Sequence, residues 1–155
     1  IRRSAQAQKA IEAAMCAGFE SIALHAHLGF KVKSYGPDEA QIELSMRPEL
    51  IGTAMHQRLH GGVIAAILDS AAGFAICQAV ADKYCDETLE QLGMRFGRIG
   101  TIDQRVDFLR QGVGKSFVAT GKVVRLGGRI ATTQMTLVSD QGEMIASGTS
   151  SFVVS

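Results

Sequence analysis

The stretch that decides the fold is HGGVIAAILDSAAGFA, residues 60–75, which opens the longest apolar run in the chain. Its apolar side chains occupy every face of a helical wheel, which is not the pattern of an amphipathic surface helix. The run therefore predicts a long helix buried in the centre of the molecule. A transmembrane helix is a poor alternative, because residues 61–81 are built on Ala and Gly and carry Asp69, Ser70 and Gln78.

Alternating apolar and polar residues flank this run on both sides, which is the pattern of half-buried β-strands. Residues 28–46 alternate on either side of the turn Gly36-Pro37-Asp38 and predict a β-hairpin. After an acidic loop the alternation resumes and predicts three or four antiparallel strands, separated by turns at residues 112–114, 127–128 and 140–142. This separation of strands and helix indicates an α+β fold, with an antiparallel sheet wrapped around one long helix.

The N-terminal segment is rich in alanine and predicts a short amphipathic helix. Ser4 is available as its N-cap, Ile11 and Met15 are four residues apart, and Gly18 marks its end. We expect residues 1–18 to pack on the outside of the core. The whole chain, residues 1–155, is expected to form one domain, since it has the usual size of one.

The composition argues against several classes of protein. Sixteen basic and 15 acidic residues leave a net charge of +1, too little for a dedicated nucleic-acid binder. Eight basic residues against two acids between residues 93 and 129 suit a small polyanionic ligand instead. Three cysteines without C-x-x-C spacing indicate a reducing compartment, and the N-terminus shows no secretory signal, so we expect a cytoplasmic protein without a membrane partner.

Asp69 is the candidate centre of the chemistry. It is the only charged side chain between Arg58 and Asp82, in a helix that is otherwise apolar. An unpaired carboxylate in such a place costs several kcal/mol, so it needs partners, a raised pKa or access to a cavity. A structural Asp satisfied by neighbouring hydroxyls or amides is an equally good interpretation of this feature alone. Ser70, next to it, lacks a G-x-S-x-G elbow, which argues against a serine nucleophile.

Gly61 and Gly62 stand at the predicted first turn of the same helix, where free N–H groups and the helix dipole favour negative charge. Such a turn can stabilise a carbonyl oxygen that becomes an oxyanion, although a Gly pair at a loop-to-helix junction is common. Gly61 and Asp69 are roughly 12 Å apart along a helix axis, so one carbonyl group cannot contact both within one subunit. We therefore predict a symmetric dimer that brings the two together.

Histidine pairs raise the question of a metal site. His56 and His60 are four residues apart, and His25 and His27 would share one face of a strand. No third ligand has the required spacing, and Gln57 stands where an H-E-x-x-H motif needs Glu. No metal site is predicted.

At HGGVIAAILDSAAGFA the chain resembles the phenylacetic-acid-degradation (PaaI-type) branch of the hotdog thioesterase superfamily, in which HGG is followed by an Asp nine residues after the His. Here these residues are His60 and Asp69. The resemblance continues through the alternating segments from residue 106 to residue 154, with their Gly-Arg turn, and covers about residue 31 to the C-terminus. It implies the hotdog fold, a curved antiparallel sheet around one central helix.

The resemblance also implies hydrolysis of an acyl-CoA thioester at a subunit interface in a homodimer, with dimers often paired into homotetramers. By motif position, Asp69 is the nucleophile or the base that activates water, the Gly61 amide polarises the carbonyl and His60 shapes the loop. No cofactor is implied beyond the coenzyme A of the substrate. The substrate contacts expected on this basis, including basic residues for CoA phosphates, are Gly62, Gln57, Ser70, Lys115, Arg125, Gly128 and Arg129.

The sequence departs from the family pattern in places. Members often carry Asn six residues before the motif His, where this chain has Ala54, so that role passes to Gln57 or disappears. A further polar residue is expected from the other subunit's helix or the following strand, and Thr88 is a candidate. Two alternatives therefore stay open: a non-catalytic acyl-CoA sensor on the same fold, and a hydratase or dehydratase, which would need a His paired with a carboxylate.

Overall fold

The structure is a computed structural model in which residues 2–155 are described. The chain begins with two helices and a hairpin, which are α1 (Ala5–Ser21), α2 (Ala23–Leu28), β1 (Lys31–Tyr35) and β2 (Glu39–Ser45). A 3-10 turn at Pro48–Leu50 leads to two short strands and two helices, which are β3 (Ile51–Thr53), β4 (His56–Leu59), α3 (Gly61–Lys83) and α4 (Leu89–Phe96). Four strands complete the chain: β5 (Gly100–Phe108), β6 (Ser116–Leu126), β7 (Ile130–Ser139) and β8 (Met144–Val153).

Six of the strands form one antiparallel sheet in the order β1-β2-β6-β7-β8-β5, and β3 and β4 pair separately. The predicted hairpins are present, because β1 pairs with β2, β6 with β7, and β7 with β8. Helix α3 packs across the sheet, chiefly on β6 and β2. An antiparallel sheet around one long helix is the α+β hotdog arrangement that the sequence predicts.

The sheet comes very close to the central helix at Gly121 in β6. A Cβ atom built at this position would lie 2.4 Å from the carbonyl oxygen of Ala71 in α3. Ile67, Leu68 and Ala71 on this side of the helix are completely buried. Glycine lets the two backbones approach directly, which explains its presence within β6.

The opposite side of α3 is less well covered, which corrects the prediction of a helix buried on every face. Gly62 is exposed, and Ala66, Asp69 and Gly73 are half-buried. These residues recur every three or four positions and share one face, which β6 and β2, on the other side, do not cover. By length and composition α3 could cross a membrane, and 61% of its most apolar 18-residue window is buried inside the fold.

Helix α1 contributes directly to the core. Ser4 is its N-cap as predicted, since the Ser4 hydroxyl accepts a hydrogen bond from the Ala7 N–H. Ile11, Met15 and Phe19 are buried among the core residues. The helix therefore does more than cover the core from outside, and it continues to Ser21 instead of ending near Gly18.

Helices α2 and α4 were not predicted from the sequence. His25 and His27 lie on α2, not on a strand, and Gly29 ends that helix with a φ of 80°. Thr88 begins α4 through a capping box with Gln91.

A cluster of charged and aromatic side chains fixes the corner between α3 and α4. Arg95 donates two hydrogen bonds to Glu87, of 2.7 and 2.6 Å, and its guanidinium lies 3.4 Å from the centre of the Tyr84 ring. These hydrogen bonds from Arg95 hold the pKa of the Glu87 carboxyl below its usual range. The corner places α4 against the open side of α3.

Replacing Gly121 with Ala should lower the free energy of unfolding by about 1–3 kcal/mol, because neither backbone can move away from the added methyl group. Urea denaturation measures this change. Gly93→Ala is the matched control: no atom lies within 4 Å of a Cβ at this position in α4, so it should leave stability unchanged or raise it by about 0.5–1 kcal/mol. Equal urea midpoints for wild type and Gly121→Ala would contradict the close packing.

Candidate active site

Asp69 lies on the open side of α3, the face that it shares with Gly62, Ala66 and Gly73, and it lines a cavity of about 430 Å³. Thr101, at the start of β5, donates a hydrogen bond of 2.7 Å from its Oγ1 to Asp69 Oδ1. Gln104 holds the same strand on α3, since its Nε2 donates to the carbonyl oxygen of Ala65 over 2.9 Å. Within residues 2–155, no hydrogen bond engages Asp69 Oδ2. The carboxylate is thus oriented through one oxygen and free to accept a hydrogen bond at the other.

Thr101 is a site residue that the sequence analysis missed. It is 32 residues from Asp69 in the chain, and only the fold of β5 against α3 brings the two together. The earlier candidate for a polar partner, Thr88, has another role. Its Oγ1 accepts a hydrogen bond from the Gln91 N–H and caps α4.

A second polar group reaches the cavity from α2. The Nε2 of His25 lies 2.9 Å from Ser70 Oγ, and its Nδ1 lies 2.8 Å from the carbonyl oxygen of Phe19. His25 and Ser70 both line the cavity that Asp69 lines. From the sequence, His25 was a candidate only for metal binding. Its contact with Ser70 spans 45 residues and is not visible in the local pattern.

The rest of the cavity wall is mostly apolar. Burial raises the pKa of the Cys77 thiol to about 12, so at neutral pH this side chain is a neutral, weakly polar group and not a nucleophile. The main apolar wall residues come from α1, α3, α4, β8 and the junction between α1 and α2; they are Met15, Phe19, Ile22, Phe74, Leu89, Phe96 and Phe152. A wall of this kind accommodates a hydrocarbon chain beside the Asp69 carboxylate.

The start of α3 forms a separate site. His60 is the N-cap, and its Nδ1 accepts a hydrogen bond of 2.8 Å from the Gly62 N–H. The Gly61 N–H makes no hydrogen bond to another residue in the range 2–155. The cap therefore occupies the Gly62 amide and leaves the Gly61 amide available at the positive end of the helix dipole.

A surface depression of about 520 Å³ surrounds Gly61. Phe108 forms one wall beside Gly61, and Arg58 and Arg110 add two cationic side chains. Arg58 was not singled out from the sequence. Two guanidinium groups next to a free amide make this depression attractive for an anionic group.

The two halves of the predicted site do not meet within one chain. Asp69 lines the cavity among α1, α3 and α4, whereas Gly61 lines the depression between β4 and the end of β5. The eight residues between them correspond to roughly 12 Å along the helix axis.

The predicted substrate contacts are dispersed in a single chain. Lys115 and Gln57 share a small depression beside the start of β6. Arg125 stands near the opposite end of that strand, with Gly128 and Arg129 in the turn that follows. At about 3.4 Å per residue, the stretch from Lys115 to Arg125 spans roughly 30 Å, so one chain does not bring them to one ligand.

The surroundings of the histidines also bear on the alternative chemistries. Across residues 2–155, no group of three or more His, Cys, Asp or Glu side chains is placed to hold a metal ion. The ring nitrogens of His25 face Ser70 and the Phe19 carbonyl, and His60 faces Gly62. The hydratase alternative requires a histidine paired with a carboxylate, and neither His25 nor His60 has such a partner.

Comparisons with known proteins agree with this geometry. A family model described as the thioesterase superfamily matches residues 56–146. The medium/long-chain acyl-CoA thioesterase YigI of Escherichia coli (strain K12) is 35% identical over 127 residues, which are 82% of each chain. A Shewanella oneidensis crystal structure, described as related to the thioesterase superfamily, is 36% identical and superposes with a TM-score of 0.90, covering 99% of this chain and 100% of that one. The E. coli PaaI structure shares the fold at 20% identity, with a TM-score of 0.75 over 96% of this chain and 95% of its own.

A central helix that begins with His-Gly-Gly and carries a carboxylate beside an apolar cavity defines a hydrolase of the hotdog class. The chain belongs to the thioesterase superfamily, because the family match covers more than half of it and a relative is over 30% identical along most of both chains. It is accordingly a thioester hydrolase and not a non-catalytic sensor.

Proposed function

We propose that this protein hydrolyses an acyl-CoA to a free acid and CoA at sites shared between two subunits. The observation that carries the proposal is the hydrogen bond between Asp69 and Thr101 at an apolar cavity. Asp69 lies on the same helix as Gly61, whose amide has no partner among the described residues of its own chain. The E. coli relative YigI is a medium/long-chain acyl-CoA thioesterase, which supports the same substrate class for this chain.

In the proposed reaction Asp69 is the general base. Thr101 orients the carboxylate through Oδ1, and Oδ2 takes a proton from a water molecule as the water oxygen attacks the thioester carbonyl carbon. The carbonyl electrons move onto the oxygen, which accepts a hydrogen bond from the Gly61 N–H at the helix start. Collapse of this intermediate breaks the carbon–sulfur bond, and the departing CoA thiolate takes the proton from Asp69, which restores the carboxylate.

The proposed dimer pairs β5 of one subunit with β5 of the other. This strand is at the edge of the sheet, so one side of its backbone is unpaired and suited to join another strand. Ile102, Phe108 and Leu109, in or just after it, are each at least half exposed. Since β5 also packs on α3, a two-fold axis between the strands would set the start of one α3 near the middle of the other.

Each part of the substrate has a proposed place. The acyl chain enters the apolar cavity beside Asp69, and the CoA phosphates interact with Arg58 and Arg110 around the partner's helix start. Contacts with the rest of CoA are proposed for Gly62, His60 and the depression of Gln57 and Lys115. The same CoA would also contact Arg125, Gly128 and Arg129, which come from a subunit other than the one that supplies Arg58 and Arg110.

Asp69→Asn and Gly61→Pro should each abolish most CoA release from a panel of acyl-CoAs. Loss of the base lowers kcat by about 10²–10⁴-fold, and loss of one oxyanion donor by about 10²–10³-fold. Proline removes the Gly61 N–H, and proline is favoured at the first position of a helix. The preceding residue must then be extended, and His60 already is, at φ −62° and ψ 136°. Gly61→Ala keeps the N–H, adds a Cβ only 3.4 Å from a movable Phe108 atom, and should keep most activity. Full turnover by Asp69→Asn would remove Asp69 from the mechanism.

Joining the two inactive variants in one dimer tests the shared site. An Asp69→Asn subunit supplies an intact Gly61, and a Gly61→Pro subunit supplies an intact Asp69, so the heterodimer contains one complete site. Heterodimers isolated by two different affinity tags should recover about half of wild-type turnover per dimer, as two-fold symmetry requires. A heterodimer as inactive as its parents, beside a fully active wild-type homodimer carrying the same tags, would show that the sites are not shared.

Gly73→Leu should shift the preference of the enzyme to shorter acyl chains. Gly73 is one turn beyond Asp69 and lines the cavity, and its Cβ would meet Phe152 only at an ordinary 3.6 Å. The added Cβ is therefore tolerated, and we expect the rest of the leucine side chain to occupy the cavity. We expect kcat/KM for dodecanoyl-CoA to fall by at least about tenfold while that for butanoyl-CoA changes little. Gly73→Ala is the control, and an unchanged chain-length profile for Gly73→Leu would argue that acyl chains bind elsewhere.

A further inference from the structure

His25 is a buried ionisable residue that the reaction described so far does not use. It lies on α2, outside residues 56–146 that match the family model, and is 8% exposed. Its ring lies between Phe19 and Phe30, with ring centres 4.1 and 5.5 Å away. Although the site is largely aromatic, both of its ring nitrogens have polar partners. Such a well-satisfied histidine beside a catalytic cavity has a defined orientation.

The hydrogen bonds of His25 determine where its proton lies. The partner of Nδ1 is the carbonyl oxygen of Phe19, which can only accept, so Nδ1 carries a hydrogen atom. In the neutral ring Nε2 is then an acceptor, and the group facing it is the Ser70 hydroxyl at 2.9 Å. Ser70 therefore donates its only hydroxyl proton to His25. The lone pairs of Ser70 Oγ remain for the cavity, so Ser70 acts there as an acceptor alone.

Building on the proposed acyl-CoA hydrolysis, we propose that His25 is a positioning residue that fixes Ser70 as an acceptor for the attacking water. Asp69 and Ser70 are consecutive residues and line the same cavity. A water molecule attacks through a lone pair, and it is best oriented when both of its hydrogens have acceptors. Asp69 Oδ2 accepts one hydrogen, which it removes as the base, and Ser70 Oγ accepts the other.

The polarity of Ser70 favours water over the other groups that could approach it. The thioester carbonyl is itself an acceptor and gains nothing from an acceptor-only hydroxyl. An amide N–H of the pantetheine arm of CoA could donate to Ser70, and in that case Ser70 would contribute to substrate binding and not to the chemical step. The two roles differ in kinetics, because lost binding raises KM whereas a misplaced water lowers kcat.

The test is a double-mutant cycle with His25→Phe, Ser70→Ala and the double variant, assayed by CoA release from decanoyl-CoA. His25→Phe keeps an aromatic ring between Phe19 and Phe30 and frees the Ser70 proton, and Ser70→Ala removes the acceptor. Each single change should lower kcat by about tenfold to a hundredfold, the usual effect of lost positioning, and leave KM within about twofold. The double variant should be no slower than the slower single variant, because His25 acts only through Ser70.

Two further variants separate positioning from packing. His25→Gln offers a carbonyl oxygen to the Ser70 proton and should recover much of the activity lost in His25→Phe. His27→Phe is the matched control, since His27 is exposed on the same short helix and should keep wild-type kcat. Thermal unfolding of every variant checks the fold, and Ser70→Ala tests the idea without altering α2.

Several results would overturn the inference while wild-type hydrolysis stands. These are unchanged kcat in Ser70→Ala, a raised KM with unchanged kcat, and losses that multiply in the double variant. A raised KM would assign Ser70 to binding the pantetheine amide. If wild-type protein released no CoA from any acyl-CoA, the proposed function would fail first, and the inference with it.

Discussion

The direct contact between the backbones of α3 and β6 at Gly121 is the constraint on which the rest of the structure depends. With a carbonyl of α3 pressed against the strand, the helix cannot rotate about its axis without a clash. This fixes Ala71 and Leu68 toward β6 and turns Asp69 and Gly73 away from that strand. The position of the carboxylate is therefore set by a glycine on a strand that never touches it.

The side of α3 that faces away from β6 is covered by helices and by Thr101 of β5 and Phe152 of β8, and these form the cavity. Helix α1 contributes Met15 and Phe19, and α4 contributes Phe96. Each of these helices is fixed by polar contacts: Arg3 donates hydrogen bonds to carbonyl oxygens at the end of α3, and Arg95 pairs with Glu87. The covering is incomplete between them, which leaves space beside Asp69.

The sequence revealed what depends on local pattern. The apolar run of α3, the turn at residues 36–38 and the Ser4 cap each follow from neighbouring residues, and the structure contains them. Helix α4 was missed although Thr88 and Gln91 form a readable capping box, because its acidic surroundings were interpreted as a loop. The contacts of Asp69 with Thr101 and of Ser70 with His25 span 32 and 45 residues, so only the folded arrangement reveals them.

Division of the proposed site between two subunits also resolves the energetic difficulty of Asp69. A carboxylate fully buried in an apolar helix would cost several kcal/mol in every folded chain. In a single chain Asp69 is only half-buried, keeps one oxygen open and shares the other with Thr101. In the proposed dimer, desolvation comes only when a second subunit and an acyl chain close over it. Exclusion of water then strengthens the attraction between the Asp69 carboxylate and the proton, and it also strengthens the hydrogen bond from the Gly61 N–H to the oxyanion.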